Sequence, residues 1–365
     1  MKEMEQLAPR RKTITVRAGK LAIGSSHPVV VQSMTNTDSK DPEATLGQIE
    51  QLAAAGCELV RIAVPGRKAA ACLRKIVDNS PLPVVADIHF NYKLALAALE
   101  AGVAKLRINP GNIGDADKVK VLAREALAQK VPIRIGVNSG SLEKELLARH
   151  EGPTSSALAQ SALGHCKLLE DEGFGDIMVS IKASDVPTTV RANREFAALR
   201  NYPIHLGVTE AGTLVRGTVN SAAGIGILLA EGIGDTLRVS LTADPVEEIA
   251  VAWKILAALG IRRRGAEIVS CPTCGRTEVD LIGMAERVER LLSTVDLPMT
   301  VAVMGCVVNG PGEAREADFG IAGGKRNGVV FRGGEQVSSV PESELVEELL
   351  CLIENETGVV IPREL

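Results

Sequence analysis

Aromatic side chains are scarce in this chain of 365 residues, which has one Trp, two Tyr and five Phe. Its core must therefore be built from Val, Ile, Leu, Ala and Gly. A binder of single-stranded nucleic acid is disfavoured, because bases need aromatic faces to stack on. No apolar run reaches the roughly 18 residues of a membrane span, and the opening stretch MKEMEQLAPRRKTITV has no apolar signal core. Both absences point to the cytoplasm and away from a membrane. Excess positive charge is missing as well. A formal net charge of −4 leaves no broad footprint for nucleic acid or an anionic membrane. Seven cysteines scattered over the chain are an odd set. They suggest free thiols and a metal site in a reducing compartment, not a disulfide framework.

What is present is a regular alternation. Eight β-branched segments recur: VVVQSMT (29–35), LVRIAVP (59–65), PVVADIH (83–89), KLRINPG (105–111), PIRIGVN (132–138), DIMVSIKAS (176–184), PIHLGVTEAG (203–212) and DTLRVSLT (235–242). Helical patterns such as 42–56 and 118–130 lie between them. Strand then helix, repeated eight times, predicts an α/β fold, a (β/α)8 TIM-type barrel over 1–260. A doubly wound sheet is the alternative, but no G-x-G-x-x-G turn supports it. Helices and short strands mix over 261–365, which reads as a smaller α+β domain. The stretch SGSLEKELLARHEGP (139–153) is the longest connection after a strand, either a lid or a decorative short helix.

Residues two apart on a strand share a face. At the C-terminal strand ends, where barrel sites form, this pairs Asp87 with His89, Arg107 with Asn109, and Arg134 with Asn138. It also pairs Ser180 with Lys182, His205 with Thr209, and Arg238 with Ser240, while Arg61 sits similarly on the second strand. Cations outnumber the acids Asp87 and Glu210 here, in a chain that is acidic overall. Guanidinium forks suit phosphate or carboxylate oxygens, so a small, multiply anionic substrate is expected. Lys182 also admits a Schiff-base reading, as in aldolase chemistry.

Cys271 and Cys274 in SCPTCG have the C-x-x-C spacing of a metal site. No second C-x-x-C follows and no His occurs after His205. Cys306, in VAVMGCVVNGPGEA, is the third thiolate candidate. Cys351 lies in the helical pattern ELVEELLCLIENE and reads as core. Three thiolates suit a 4Fe–4S cluster with one distinctive iron, and Glu313 is the nearest anionic fourth ligand. A structural zinc held by the three cysteines with Glu313 or Cys351 remains the alternative.

These motifs together (ADIHF, LRINPGN, PIRIGVN, HLGVTEAG, LRVSLT, SCPTCGR and VMGCVVNGPGE) resemble the 4-hydroxy-3-methylbut-2-enyl diphosphate synthase family in its two-domain bacterial form. The resemblance implies reductive ring opening of 2-C-methyl-D-erythritol 2,4-cyclodiphosphate, with loss of water, in non-mevalonate isoprenoid synthesis. It implies one 4Fe–4S cluster per chain on Cys271, Cys274, Cys306 and Glu313. The diphosphate falls to Arg61, Arg107, Arg134 and Lys182, with Asn138, Arg238 and Ser240 nearby, and a proton-handling role falls to Glu210. His89 and His205 stay open between proton transfer and substrate hydrogen bonding. Reduced flavodoxin or ferredoxin would supply electrons. Assembly can be argued from chain length. A helix over 245–259 ends at the bottom of the barrel, and IRRRGAE (261–267) spans at most about 25 Å. Climbing past a wall about 22 Å high would consume that reach. A head-to-tail homodimer, each cluster domain serving its partner's barrel, is therefore expected, and the family resemblance implies the same.

Overall fold

The computed structural model describes residues 8–113, 116–306 and 315–363. The chain divides into two compact units, Met1–Arg262 and Arg263–Leu365. Among the described residues no helix is long and apolar enough to cross a membrane.

The first unit opens with a small antiparallel hairpin, β1 (Val16–Ala18) and β2 (Leu21–Ile23). Eight parallel strands follow: β3 (Val30–Met34), β4 (Leu59–Ala63), β5 (Val84–Ile88), β6 (Lys105–Ile108), β7 (Ile133–Asn138), β8 (Ile177–Lys182), β9 (His205–Leu206) and β10 (Thr236–Leu237). They lie in the order β8-β7-β6-β5-β4-β3-β10-β9. A bridge between Val179 and Ile204, with the Val179 N–H donating to Pro203 O at 3.0 Å, joins the two ends into a barrel. Helices stand between the strands and start where the sequence supplies caps. Asp41, Asp185 and Asp244 accept from the backbone N–H groups of Ala44, Thr188 and Val246, each beside a proline in the first turn.

Alternation decides what each strand presents. Val60, Ile62, Ala86, Ile88, Ile133, Ile135, Val179 and Ile181 join the core under the helices. Val30, Leu59, Val85 and Met178 point the other way and pack with Val16, Ala18 and Ile23 of the hairpin. The hairpin thus stoppers the N-terminal end of the barrel. Above that apolar floor the inward positions turn polar.

The last barrel helix, Pro245–Ala258, leads to Arg262 at the same bottom end. Arg262 donates to Val29 O at 2.6 Å, binds both carboxylate oxygens of Glu58 at 2.8 and 3.0 Å, and lies 4.7 Å from the centre of the Trp253 ring. The basic linker therefore begins tethered beneath the barrel, at the starts of β3 and β4.

The second unit is a five-stranded sheet: β11 (Glu267–Ser270), β12 (Thr300–Met304), β13 (Phe319–Ala322), β14 (Asn327–Arg332) and β15 (Glu335–Pro341). The first three are parallel and the last two antiparallel. Helices Leu281–Leu292 and Leu345–Thr357 bury Leu281, Val288, Leu291, Leu345, Leu349 and Ile353 against Val301, Val303 and Ile321. Cys351, expected as core, is only half-buried, with Arg363 Nη2 3.7 Å from its sulfur.

Candidate active site

The expected cations do converge, but inside the barrel and not on an open rim. Arg107 and Arg134 are cross-strand neighbours on β6 and β7, and Asp87 on β5 is Arg107's other neighbour. Arg107 Nη1 donates to Asp87 Oδ1 at 3.0 Å and lies 3.1 Å from His89 Nε2. Arg61 Nε approaches Asp87 Oδ2 at 3.6 Å. Burial alone would raise the Asp87 carboxyl. Arg61, a hydrogen bond with His89, and Arg107 together hold it well below the usual carboxylate range. Asp87 is thus a fixed anion shared by two arginines. Arg61, though buried, stays cationic, its pKa lowered by burial to about 10 against the opposing pull of Asp87.

Arg134 is in a different position. It is fully buried, and none of its three guanidinium nitrogens has a hydrogen-bond partner among the described residues. Burial and then Arg61 and Arg107 push its pKa well down. A buried donor without an acceptor costs about 1–3 kcal/mol, more when charged. An anionic ligand is the natural acceptor.

Two glycines make room for these long side chains. A Cβ on Gly136 would stand 2.5 Å from Arg107 Nε, and one on Gly207 would stand 2.7 Å from Lys182 Nζ. Each cation therefore lies across bare backbone of a neighbouring segment.

Several sequence expectations need correction. His205 is not at the mouth. Its strand is only two residues long, so it begins β9, in register with Thr236 and, through it, with Val30 near the apolar floor. It is fully buried, with Nδ1 2.7 Å from Thr236 Oγ1 and Nε2 3.5 Å from Lys182 Nζ. Thr209 does not pair with it on a strand either, since the chain has left the sheet after Leu206. Arg238 and Ser240 lie past the end of β10. Arg238 is held by Glu248 of the last barrel helix through contacts of 3.1 and 2.9 Å, so its charge is already matched. The stretch 139–153 forms a short 3-10 turn, Ser139–Ser141, and a helix, Lys144–Arg149, fastened by Glu143 to His165 Nε2 at 2.7 Å. Asn138 ends β7 at the start of this segment, and Asn109 Nδ2 donates to Ser141 Oγ at 3.0 Å. Glu210 is exposed, in a turn where its φ is +53°, a region strained for a residue with a Cβ.

Sequence reasoning passed over Lys105, the inward residue immediately before Arg107, which is fully buried. The signal was available in KLRIN, where residues two apart share a face. It also missed Glu248, the carboxylate that neutralises Arg238.

In the second unit, β11 and β12 are adjacent and parallel, and Cys271 and Cys306 lie just beyond their C-terminal ends. The Gly305 N–H donates to Cys271 Sγ at 3.2 Å. Cys274 is exposed, and its pKa is lowered by hydrogen bonds from the backbone and side chain of Arg276. Among the described residues no group of three or more His, Cys, Asp and Glu side chains is gathered closely enough to hold a metal ion. Glu313 lies outside the described residues. The donor set still fits an iron–sulfur group. Cys271 and Cys306 follow the C-terminal ends of adjacent parallel strands, and a backbone N–H already aimed at sulfur suits thiolate ligation.

Residues 13–253 match the GcpE TIM-barrel domain, and residues 267–355 match the GcpE protein C-terminal domain. The 4-hydroxy-3-methylbut-2-en-1-yl diphosphate synthase (flavodoxin) of Geobacter sulfurreducens is 57% identical, over 94% of this chain and 98% of its own. The protein of the same name from Lawsonia intracellularis is 59% identical, over 91% and 92%. Among solved structures, Yersinia pestis dihydropteroate synthase matches 68% of this chain and 97% of its own with a TM-score of 0.50, at 13% identity, a likeness of fold alone. Both domains match in order and the relatives are identical at more than half of the aligned positions, so the chain belongs to the GcpE family.

Proposed function

We propose that this protein is a 4-hydroxy-3-methylbut-2-enyl diphosphate synthase. It converts 2-C-methyl-D-erythritol 2,4-cyclodiphosphate to the linear allylic diphosphate, taking up two electrons and two protons and releasing water. The observation that carries the reading is the buried cation cluster, with Asp87 as its carboxylate and the Arg134 guanidinium without a partner among the described residues. A cyclic diphosphate supplies the missing acceptors. Arg61, Arg107, Arg134 and Lys182 bind its phosphoryl oxygens, and Asp87 orients Arg61 and Arg107. Asn138, Arg238 and Ser240 border the same space, with Arg238 steadied by Glu248. Glu210, exposed on a strained turn, delivers a proton. His89, with Nε2 3.1 Å from Arg107 Nη1 and 3.5 Å from Asp87 Oδ2, orients them or the substrate.

Cys271, Cys274 and Cys306 would hold one 4Fe–4S cluster, with Glu313 as the oxygen ligand. When bound, the cluster supplies electrons singly from a reduced carrier. The relatives' name carries "flavodoxin", so reduced flavodoxin is the donor to try first, with ferredoxin as the substitute. The odd, scattered set of cysteines supports a cytoplasmic protein. A head-to-tail homodimer is favoured by the tether of Arg262 beneath its own barrel. Only Arg263–Ala266 separate it from β11, five backbone steps that reach about 17 Å when extended.

The test is anaerobic purification followed by turnover of the cyclodiphosphate with reduced flavodoxin. A brown protein with about four irons per chain, forming the allylic diphosphate, is expected. A colourless, zinc-loaded anaerobic protein without turnover would overturn the reading.

A further inference from the structure

Lys105 is the inward residue of β6 one step below Arg107, in register with Val85 of the apolar floor. It is fully buried. Its Nζ lies 3.7 Å from Met178 Sδ, a weak acceptor that leaves most of its hydrogen-bonding capacity unused. Met178 is in turn the cross-strand neighbour of Arg134, whose guanidinium has no partner among the described residues. Neither Lys105 nor Arg134 forms a salt bridge among the described residues, because Asp87 is engaged by Arg61 and Arg107. Two buried cations thus face one interior without an anion, and their proximity disfavours charge on either. Burial first, then Arg134 and Arg61, push the Lys105 ammonium well below its ordinary pKa.

Packing does not explain this arrangement. A methionine has nearly the reach of a lysine and would fill the same space beside Met178 without an ammonium to desolvate. We propose that Lys105, one inward step below Arg107, and Arg134 form a deep anion subsite which takes a phosphoryl oxygen of the substrate. The proposal rests on the cyclic-diphosphate reading above and extends it. The diphosphate is gripped from below as well as around its sides, so Lys105 sets how deeply it enters.

Lys105→Met in the cluster-loaded enzyme tests this, with inorganic pyrophosphate as a competing probe. Replacing a buried lysine that has no anion beside it with an apolar side chain should raise the melting temperature of the substrate-free protein. At the same time KM should rise about tenfold or more, pyrophosphate inhibition should weaken by a similar factor, and most of the loss should fall on KM instead of kcat. A more stable protein that binds its ligand worse is a combination a packing residue does not give. Unchanged KM and unchanged pyrophosphate inhibition would overturn the proposal, whatever the melting temperature. Arg107→Ala, measured alongside, separates the two levels. If it raises KM and Lys105→Met does not, only the deep subsite fails. If neither changes KM, the diphosphate reading of the barrel fails with it. Lys105→Gln takes the same measurements should the methionine variant not fold, and misfolding of both would make the ammonium structural and end the proposal.

Discussion

At position 136 a hydrogen atom stands where any other residue would place a carbon, and that decides where Arg107 lies. Gly136→Ala would put a Cβ 2.5 Å from Arg107 Nε, so the guanidinium has to leave the β7 backbone and its contact with Asp87. We expect KM for the cyclodiphosphate to rise about tenfold, the loss of one charge-assisted contact. Arg107→Ala should do the same, and the double variant should be no worse than Arg107→Ala alone, since both remove one interaction. Additive losses would show that Gly136 acts elsewhere. His205 gives a second prediction, in stability. Burial first, then Arg134, Lys182, Lys105 and Arg61, lower its pKa well below the ordinary value. The unfolded imidazole protonates near pH 6.5. As pH falls through that point the unfolded chain binds a proton that the folded one refuses. Stability from this group is therefore full above about pH 6.5 and declines below it, until the folded pKa is reached. His205→Gln should flatten the dependence of urea-unfolding stability between about pH 5 and 7 relative to the parent. Equal slopes would mean that the buried ring accepts the proton.

Among elements, the hairpin β1–β2 does more than its two short strands suggest, because it closes the barrel floor with Val16, Ala18 and Ile23. Ile23 is fully buried there, and Ile23→Ala should cost about 2–5 kcal/mol in equilibrium unfolding. A loss under 1 kcal/mol would show that the floor holds without it. This hairpin was also the element least legible in the sequence, since three residues are too few to display a period of two. The eight barrel strands were legible because apolar outward positions alternate with polar inward ones, as in Leu106-Arg107-Ile108 and Ile133-Arg134-Ile135. Lengths were not. The seventh and eighth segments read as ten and eight residues, but only two residues of each form strand. That difference moved His205 from the expected mouth to the floor. Pairing partners were hidden as well, since nothing near Arg238 in sequence distinguishes Glu248 from Glu247. The face shared by Lys105 and Arg107 was visible, yet an ammonium so deep in a barrel is unusual enough to be passed over.

For the molecule as a whole, the prediction concerns which barrel a cluster serves. Arg61→Ala disables the barrel of one chain, and Cys306→Ser disables the cluster of another. Mixed and allowed to exchange, half the dimers pair one of each. If each cluster domain serves its partner's barrel, such a dimer has one intact site, so activity should return to roughly a quarter of the parent. Mixed dimers that form but stay inactive would restrict each cluster to its own barrel. The tether beneath the barrel has a further, optical consequence. Trp253 is the chain's single tryptophan, and Arg262 rests on its ring while the indole N–H donates to Gly56 O at 3.1 Å. All tryptophan emission from this protein therefore originates at the root of the linker. Arg262→Ala and Glu58→Ala should both alter its intensity or wavelength, and in the unmodified chain any event that lifts the linker from the barrel reports itself as fluorescence without an added label.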